Sequence, residues 1–242
     1  MARRASADLL ADIGRHHSIK VMDRELRAFL NAVPQHGVVV DVGGGWGWHW
    51  RGLAERRSDV AVVIVDFVRD NLEVGARMLG ALVEGQVFLV HADATKLPFP
   101  SDVFDGYWSV QALQHIPGFE QAVAEGHRVL RPGGAFVCYS LNRPHVLEAV
   151  ASVRGRPYDV DGRRPGRLYL ARASAEQAAI VSRIFGARVV SRYTEVLFHP
   201  ELRLNTGGVN SRIGALDAYC SSSLPCLAWI ARQRSYHTKK RA

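Results

Sequence analysis

The chain contains 242 residues, of which 48% are hydrophobic and 22% are charged, fractions typical of a folded globular domain rather than a disordered segment. No run approaches about 18 consecutive apolar residues, so the sequence predicts no membrane span. Lysine and arginine outnumber aspartate and glutamate by 31 to 23, so the formal net charge is +8. That charge leaves an anionic partner such as nucleic acid open, although the basic residues form no continuous platform.

The N-terminus and the cysteines favour a cytoplasmic protein. Asp8 and Asp12 interrupt the segment that would have to be apolar in an export signal. Three cysteines, Cys138, Cys220 and Cys226, form neither an even set nor a CxxC pair, which favours reduced thiols over disulfides or zinc. No histidines and carboxylates cluster with metal-ligand spacing, so the sequence predicts no metal site.

Short apolar runs alternate with amphipathic segments from Val38 to Leu141, a pattern that predicts repeated βα units and a parallel sheet. Strands are predicted at 38–42, 60–66, 87–93, 103–111 and 135–141, with a sixth within 187–198 and a poorly patterned seventh within 229–237. Helices are predicted at 18–32, 48–57, 70–82, 119–130 and 174–186, and the RPGG stretch at 131–134 is predicted to end the fourth of them.

These elements predict two parts of unequal size. Residues 1–36 form an N-terminal helical cap, and residues 37–242 form the main domain. Within the main domain, residues 142–172 are rich in Arg, Gly and Pro and are predicted to be a lid-like excursion, because long loops in compact domains tend to be functional.

A glycine-rich stretch follows the first predicted strand. The strand ends near Asp41, and Gly43, Gly44, Gly45 and Gly47 stand where the next helix begins, so backbone could approach a nucleotide-like ligand closely. A dinucleotide fingerprint requires a third glycine in the order G-x-G-x-x-G. Tryptophan occupies that position in both possible registers, and the spacing present is D-x-G-x-G-x-G.

With this spacing, the segment from Val38 to Leu141 resembles the class I S-adenosylmethionine (SAM) dependent methyltransferases. Asp66 ends the second strand 19 residues after Gly47, and the stretches HADATKLPFPSDVFD and HRVLRPGGAFV follow in the family's order. The resemblance implies an α/β fold, a Rossmann-like seven-stranded mostly parallel sheet with helices on both faces, and SAM as cofactor.

The resemblance also implies roles for individual residues. Asp66 would bind the ribose hydroxyls and Asp93 the adenine amino group, with Phe67 and Ala94 beside them. Side chains at Gly43 or Gly45 would occupy the space of the methionine moiety, with Gly44 between them. Asp41 is expected to support the loop by bonding backbone N–H groups.

Three tryptophans, Trp46, Trp48 and Trp50, depart from the family pattern, and two interpretations remain open. Trp46 could stack near the sulfonium through a cation–π contact. Alternatively, all three could pack the first helix of the domain against the sheet or against the N-terminal helix.

The methyl acceptor is expected at the carboxyl end of the fourth strand. Gln111 would contact SAM or the acceptor there. His115 could deprotonate an oxygen or nitrogen acceptor, because its ordinary pKa lies near neutral pH, or could only hold the loop. Alignment of the acceptor alone can supply about 7–11 kcal/mol, so no enzyme nucleophile is required.

Missing motifs narrow the acceptor. The fourth strand lacks the N/D-P-P-Y/F signature of nucleic-acid amino methylases and the Pro-Cys of cytosine C5 methylases. The chain instead resembles the small-molecule branch that includes ubiquinone and menaquinone methyltransferases. A small-molecule substrate is therefore expected, with an RNA methyltransferase and a non-catalytic SAM-binding relative as alternatives, and with the oligomeric state left open.

Overall fold

The computed structural model describes residues 18–142, 174–199 and 212–241, together with the isolated residues 149, 152, 153 and 155. The helices are α1 (Ser18–Ala32), α2 (Leu53–Arg56), α3 (Arg69–Leu79), α4 (Phe119–Val129), α5 (Ser174–Phe185) and α6 (Arg212–Ser223). The strands are β1 (Val38–Val42), β2 (Ala61–Asp66), β3 (Val87–His91), β4 (Phe104–Val110), β5 (Leu130–Leu141), β6 (Val190–Thr194) and β7 (Gln233–Lys239). Short 3₁₀ helices lie at Trp48–Trp50, Gly80–Leu82, Leu113–His115 and Pro225–Trp229.

The seven strands form a single sheet in the order β3-β2-β1-β4-β5-β7-β6. The pairs among β1 to β5 are parallel, whereas β7 runs antiparallel to both β5 and β6. The strand order reverses between β1 and β4, and open α/β sheets bind ligands at the carboxyl ends of the strands where such a reversal occurs. The predicted α/β fold with a mostly parallel seven-stranded sheet is confirmed.

Alternating residues of each strand face opposite sides of the sheet, so two apolar cores form. On one side, Val39, Ile64 and Trp108 pack with the apolar face of α1. On the other side, Tyr107 and Phe136 pack with residues of α4 and α5, including Phe119, Val123, Val181 and Phe185. Because β1 is covered on both faces, its sequence VVVDV is a continuous apolar run apart from one acid.

Two local predictions differ from the structure. The helix predicted at 48–57 is divided into the 3₁₀ helix Trp48–Trp50 and the single turn α2, with Gly52 between them. The RPGG turn at 131–134 is an irregular part of β5 instead of a break before it. Leu130 pairs with Phe104 and Ala135 pairs with Gly106, so the turn bulges opposite one residue of β4.

Elements near the C-terminus carried weak sequence signals. β7 buries Gln233 and Ser235, so its pattern does not show the apolar alternation that identifies a strand. Helix α6 was not predicted, because Ile213, Leu216 and Tyr219 remain exposed and its apolar residues do not follow one buried face.

The domain division into residues 1–36 and 37–242 stays a prediction. The structure shows that α1 shares one apolar core with β1, β2 and β4, through residues such as Leu26 and Phe29. Most of the predicted lid at 142–172 lies outside the described residues. Within the described ranges, no helix is both long enough and apolar enough to cross a membrane.

Candidate functional site

The glycine loop connects the carboxyl end of β1 to the first 3₁₀ helix. Gly43, Gly45 and Gly47 have φ angles of 72°, 55° and 68°, in the left-handed region that residues with a Cβ rarely adopt. The backbone N–H groups of Gly43 and Gly44 both donate to the carbonyl oxygen of Val65, at 2.7 and 3.3 Å. These bonds fix the loop against β2, the neighbouring strand.

The glycines of this loop are required for different reasons. A Cβ at Gly43 would lie 2.2 Å from the Cβ of Ala112, and one at Gly44 would lie 2.5 Å from the Oδ2 of Asp41. A Cβ at Gly45 would meet only the Oδ2 of Asp66, at 3.9 Å, and otherwise open space. A side chain at Gly43 would therefore meet the protein first, and the expectation that Gly43 and Gly45 both border the ligand stays a prediction.

Asp66 ends β2 beside this open space and is 7% exposed. Its Oδ2 accepts a hydrogen bond from the backbone N–H of Gly45 at 2.9 Å. Its Oδ1 accepts from the backbone N–H of Val68 at 2.8 Å and from Nδ2 of Asn71 at 3.2 Å. A carboxylate offers about four acceptor positions. Three are occupied, so the side chain is oriented and one position remains for a ligand hydroxyl.

Hydrogen bonds and ring contacts account for all three tryptophans. Trp50 is fully buried, lies edge-on to Trp108 and packs in the same core as α1. The ring of Trp48 lies 4.3 Å below the guanidinium of Arg51, and Nε1 of Trp46 donates to Oδ1 of Asn71 at 3.2 Å. The packing interpretation is confirmed for Trp50, whereas a contact between Trp46 and a sulfonium stays untested.

Asp41 is almost completely buried, and its partner differs from the expected backbone N–H groups. Its Oδ2 accepts a hydrogen bond from Nε1 of Trp50 at 2.7 Å, while its Oδ1 has no hydrogen-bond partner among the described residues. Burial raises the pKa of Asp41 to about 7, the Trp50 bond opposes this rise, and the charge of Asp66 adds to it. Asp41 therefore supports the loop through an indole.

The raised pKa of Asp41 predicts a pH-dependent stability. Because the pKa of about 7 in the folded state exceeds the ordinary value of 3.8, the folded state binds the extra proton between these pH values. Rising pH in this window should lower the free energy of unfolding, by a few kcal/mol in total at about 1.4 kcal/mol per pKa unit. Denaturant unfolding of the parent and of Asp41→Asn at pH 5 and pH 8 measures this, and the variant should lose less stability at pH 8. Equal losses would contradict the assignment.

The other predicted donor-site residues lie at adjacent strand ends. Asp66 pairs in register with His91, and the ring nitrogen Nε2 of His91 is 2.9 Å from the carbonyl oxygen of Phe67. Phe67 is 71% exposed, so its ring is available to a planar ligand. Asp93 is exposed and accepts from the backbone N–H of Thr95 at 2.8 Å, and Ala94 beside it is buried.

On the acceptor side, Gln111 follows β4 with a φ of 51°. Its backbone N–H donates to the carbonyl oxygen of Tyr139, and its Nε2 donates to Oε1 of Gln233, both at 2.8 Å. Gln233 is fully buried, and its Nε2 in turn donates to Oγ1 of Thr194 at 3.1 Å. These bonds orient the side-chain amide of Gln111 and leave its side-chain oxygen Oε1 without a partner among the described residues. Sequence reasoning missed Gln233 because a lone glutamine gives no local signal.

His115 ends the 3₁₀ helix that follows Gln111. Its Nε2 lies 3.1 Å from Nε2 of Gln114, whose Oε1 accepts from the backbone N–H of Leu141. Partial burial lowers the pKa of His115 below its ordinary value of 6.5, so the ring is neutral at pH 7. Ala112 lies between Gln111 and this helix and would touch a Cβ at Gly43, so the donor and acceptor sides adjoin.

All three cysteines of the chain are free thiols, and Cys226 is the exposed one. Among the described residues, no group of three or more histidine, cysteine, aspartate or glutamate side chains is arranged to hold a metal ion.

Comparison with known proteins agrees with this geometry. The methyltransferase domain family matches residues 40–138. A ubiquinone/menaquinone biosynthesis C-methyltransferase, UbiE, of Methylobacterium nodulans is 33% identical over 109 residues, which cover 45% of this chain and 43% of that protein. A chloroplastic 2-methyl-6-phytyl-1,4-hydroquinone methyltransferase of Oryza sativa is 41% identical over 96 residues, covering 40% and 27% of the two chains. The aligned segments thus span less than half of either relative.

Solved structures extend the similarity to most of the chain. A crystal structure described as a putative methyltransferase from Bacillus halodurans superposes with a TM-score of 0.59 at 17% identity, covering 90% of this chain and 98% of that one. The [4+2]-cyclase SpnF superposes with a TM-score of 0.61 at 17% identity, covering 91% and 81%. At such identities the superpositions show the fold alone.

The sheet order is that of the class I SAM-dependent methyltransferase fold, and residues 40–138 match the methyltransferase domain family. Within that class, the sequence of this chain is similar to the ubiquinone and menaquinone C-methyltransferases.

Proposed function

We propose that the protein transfers a methyl group from SAM to an oxygen, nitrogen or carbon atom of a small organic metabolite. One observation carries the proposal: Gly45 borders open space and donates its N–H to Asp66, at the carboxyl ends of the strands where the sheet order reverses. The named activities of the relatives, C-methylation in quinone biosynthesis and methylation of a phytylhydroquinone, support a small-molecule acceptor.

The residues present fit SAM. The backbone at Gly45 leaves space that a Cβ would fill, and the free acceptor position of Asp66 suits a ribose hydroxyl. The exposed ring of Phe67 would stack on adenine, and Asp93 would accept from the adenine amino group. SAM supplies a methyl group on a positively charged sulfur that departs as a neutral thioether. The protein therefore has to bind, align and exclude water rather than form a covalent bond.

On the acceptor side, the chain offers neutral polar groups. The carbonyl oxygen of Gln111, fixed by Gln233, can accept a hydrogen bond from the acceptor molecule. His115 can take the proton from an oxygen or nitrogen acceptor, because its lowered pKa keeps a ring nitrogen unprotonated at neutral pH. We also place the protein in the cytoplasm, which the three free thiols support.

The decisive experiment incubates the purified chain with methyl-labelled SAM and separate metabolite, lipid, RNA and protein fractions. The proposal expects label in the metabolite fraction, and Asp66→Ala should abolish that transfer. Label in RNA, lost steeply as salt is raised, would replace the proposal with RNA methylation. SAM binding without transfer to any fraction would identify a non-catalytic relative, and the cyclase SpnF shows that this fold is not confined to proteins named as methyltransferases.

A variant of His115 tests the base separately. His115→Ala should lower turnover at least about 100-fold, the lower end of general-base contributions, while the dissociation constant for SAM changes less than twofold. Label transfer to the active fraction and calorimetric titration of SAM measure the two quantities. The acid limb of the parent's pH–rate profile should have its midpoint below pH 6.5, because burial lowers the pKa of His115 from its ordinary value. Equal turnover of parent and variant would assign His115 to holding the loop.

A further inference from the structure

A second cavity opens at the end of the sheet opposite the glycine loop. It encloses about 630 Å³ and lies between α1 and the face of β5, β7 and β6 that α1 covers only in part. The register places Ala135, Val137, His237 and Val190 on this face, because Val137 pairs with His237 and His237 with Val190. Cavities of roughly 300–1,000 Å³ hold small-molecule ligands. The groove therefore has the size of a ligand site.

The groove is distinct from the candidate active site. Ala135 pairs with Gly106, and Gly106 pairs with Val39, so the groove adjoins the amino ends of the parallel strands. The glycine loop begins four residues after Val39, at the carboxyl end of β1. At about 3.3 Å per residue, the end of the groove at Ala135 lies about 13 Å from the glycine loop along the strand direction, whereas Tyr139 at its other end pairs with Val110 of β4.

The floor of the groove is apolar. Ala28, Phe29 and Ala32 of α1 line one wall, and Val137 and Val190 line the sheet side. Val190 is 48% exposed, although β-branched residues on a sheet face are usually covered by a neighbouring element. An apolar ligand body would cover this surface and gain about 25 cal/mol per Å² removed from water.

The rim is positively charged. Four exposed basic residues line the groove: Arg188, Arg192, Lys239 and Arg241. Their side chains make no hydrogen bond or ion pair with any described residue. Other arginines on the same sheet or its helices are paired, for example with Asp105 and Glu120. The one carboxylate among the described lining residues is Glu25, which accepts from the hydroxyl of Tyr139 at 3.0 Å and lies 3.5 Å from Arg24. Among the described residues, therefore, no carboxylate neutralises these four basic side chains.

We propose that this groove binds a small amphipathic organic anion, with its apolar body on the Val137 and Val190 surface and its acidic group among Arg188, Arg192 and Lys239. The apolar floor favours a ligand with an apolar body over a free inorganic anion, and the four cations, which have no partner among the described residues, favour an acidic group over a neutral hydrocarbon. The site is separate from the methyl-transfer proposal, because neither the glycine loop nor Asp66, Gln111 or His115 lines it.

Fluorescence titration of the full chain tests the site with two probes of similar ring system. The anionic probe is 8-anilinonaphthalene-1-sulfonate, and the neutral probe is N-phenyl-1-naphthylamine. We expect saturable binding of the anionic probe at one site, at least fivefold tighter than the neutral probe, and no displacement by saturating SAM. Displacement by SAM would mean that the anionic probe occupies the donor site. Equal affinities of the anionic and the neutral probe would mean that the cations do not contribute to binding. Either result overturns the proposal.

Three variants make the test specific. Arg192→Ala should weaken the anionic probe at least threefold and leave the neutral probe unchanged. Arg77→Ala is the matched control, since it removes an exposed arginine of α3 far from the groove and changes the net charge equally. Ala28→Trp should fill the groove and abolish binding of both probes. The proposal is overturned if Arg77→Ala weakens the anionic probe as much as Arg192→Ala does. It is also overturned if Ala28→Trp keeps the melting temperature of the parent and binds both probes as the parent does. If Ala28→Trp fails to fold, the two arginine variants decide alone.

Discussion

Gly45→Ala is expected to keep the fold and to weaken SAM binding at least tenfold. The alanine Cβ would enter the open space beside Asp66 and would meet no protein atom closer than 3.9 Å. Steric conflict is therefore confined to a ligand in that space, and a tenfold loss corresponds to only about 1.4 kcal/mol. Calorimetric titration of SAM measures the affinity, and thermal unfolding measures the stability of the same preparation.

The chain supplies matched controls for this glycine. Gly186 has the same φ of 55° as Gly45, and a Cβ there would meet nothing within 4 Å. Gly186→Ala and Gly45→Ala should therefore lose a similar amount of stability, about 1–2 kcal/mol, from a side chain at positive φ, and melt at similar temperatures. Gly43→Ala should be much less stable, because its Cβ would lie 2.2 Å from that of Ala112. Parent-like SAM affinity in Gly45→Ala would place the donor elsewhere.

Asp66→Ala is the second large effect. The substitution removes the carboxylate that would bind the ribose, and it also releases the N–H groups of Gly45 and Val68 and the amide of Asn71. Hydrogen bonds to charged groups contribute about 1.5–3 kcal/mol each. We therefore expect the dissociation constant for SAM to rise well beyond tenfold, as measured by calorimetry.

Two further variants separate ligand binding from loop support. Asp70→Ala removes an exposed acid in the first turn of α3 and should leave SAM affinity unchanged. Asp66→Asn keeps one side-chain oxygen for the loop but places an amide where the second acceptor stood, so its affinity should lie between those of the parent and Asp66→Ala. If Asp66→Ala binds SAM as the parent does, the ribose assignment is wrong, whatever its melting temperature.

Some features were predictable because their signal is local in the chain. The strands β1 and β2 appear as apolar runs apart from their acids, and Asp66 stands at the end of the second. The contact between Gly45 and Asp66 links two such local features, since both stand at carboxyl ends of neighbouring parallel strands. The expectation that the site lies at the carboxyl ends of the strands follows from these patterns together with the rule for ligand sites in parallel α/β sheets.

Other features depend on which distant residues meet. No local pattern assigns Gly43 to packing against Ala112, Asp41 to the indole of Trp50, or Gln233 to the amide of Gln111. The polar interior of β7 obscured that strand, since burial of its glutamine is stabilised by partners about 40 and 120 residues earlier in the chain.

The sequence by itself determined the α/β class, the glycine loop and its acid, because those rest on residue type and on spacing along one or two neighbouring elements. The tertiary structure alone decided which glycine borders open space, which partner Asp41 has, and that a groove rimmed by exposed cations lies against β5, β7 and β6. The physical reason is that close contacts, burial and unpaired charge are properties of surfaces brought together from distant parts of the chain.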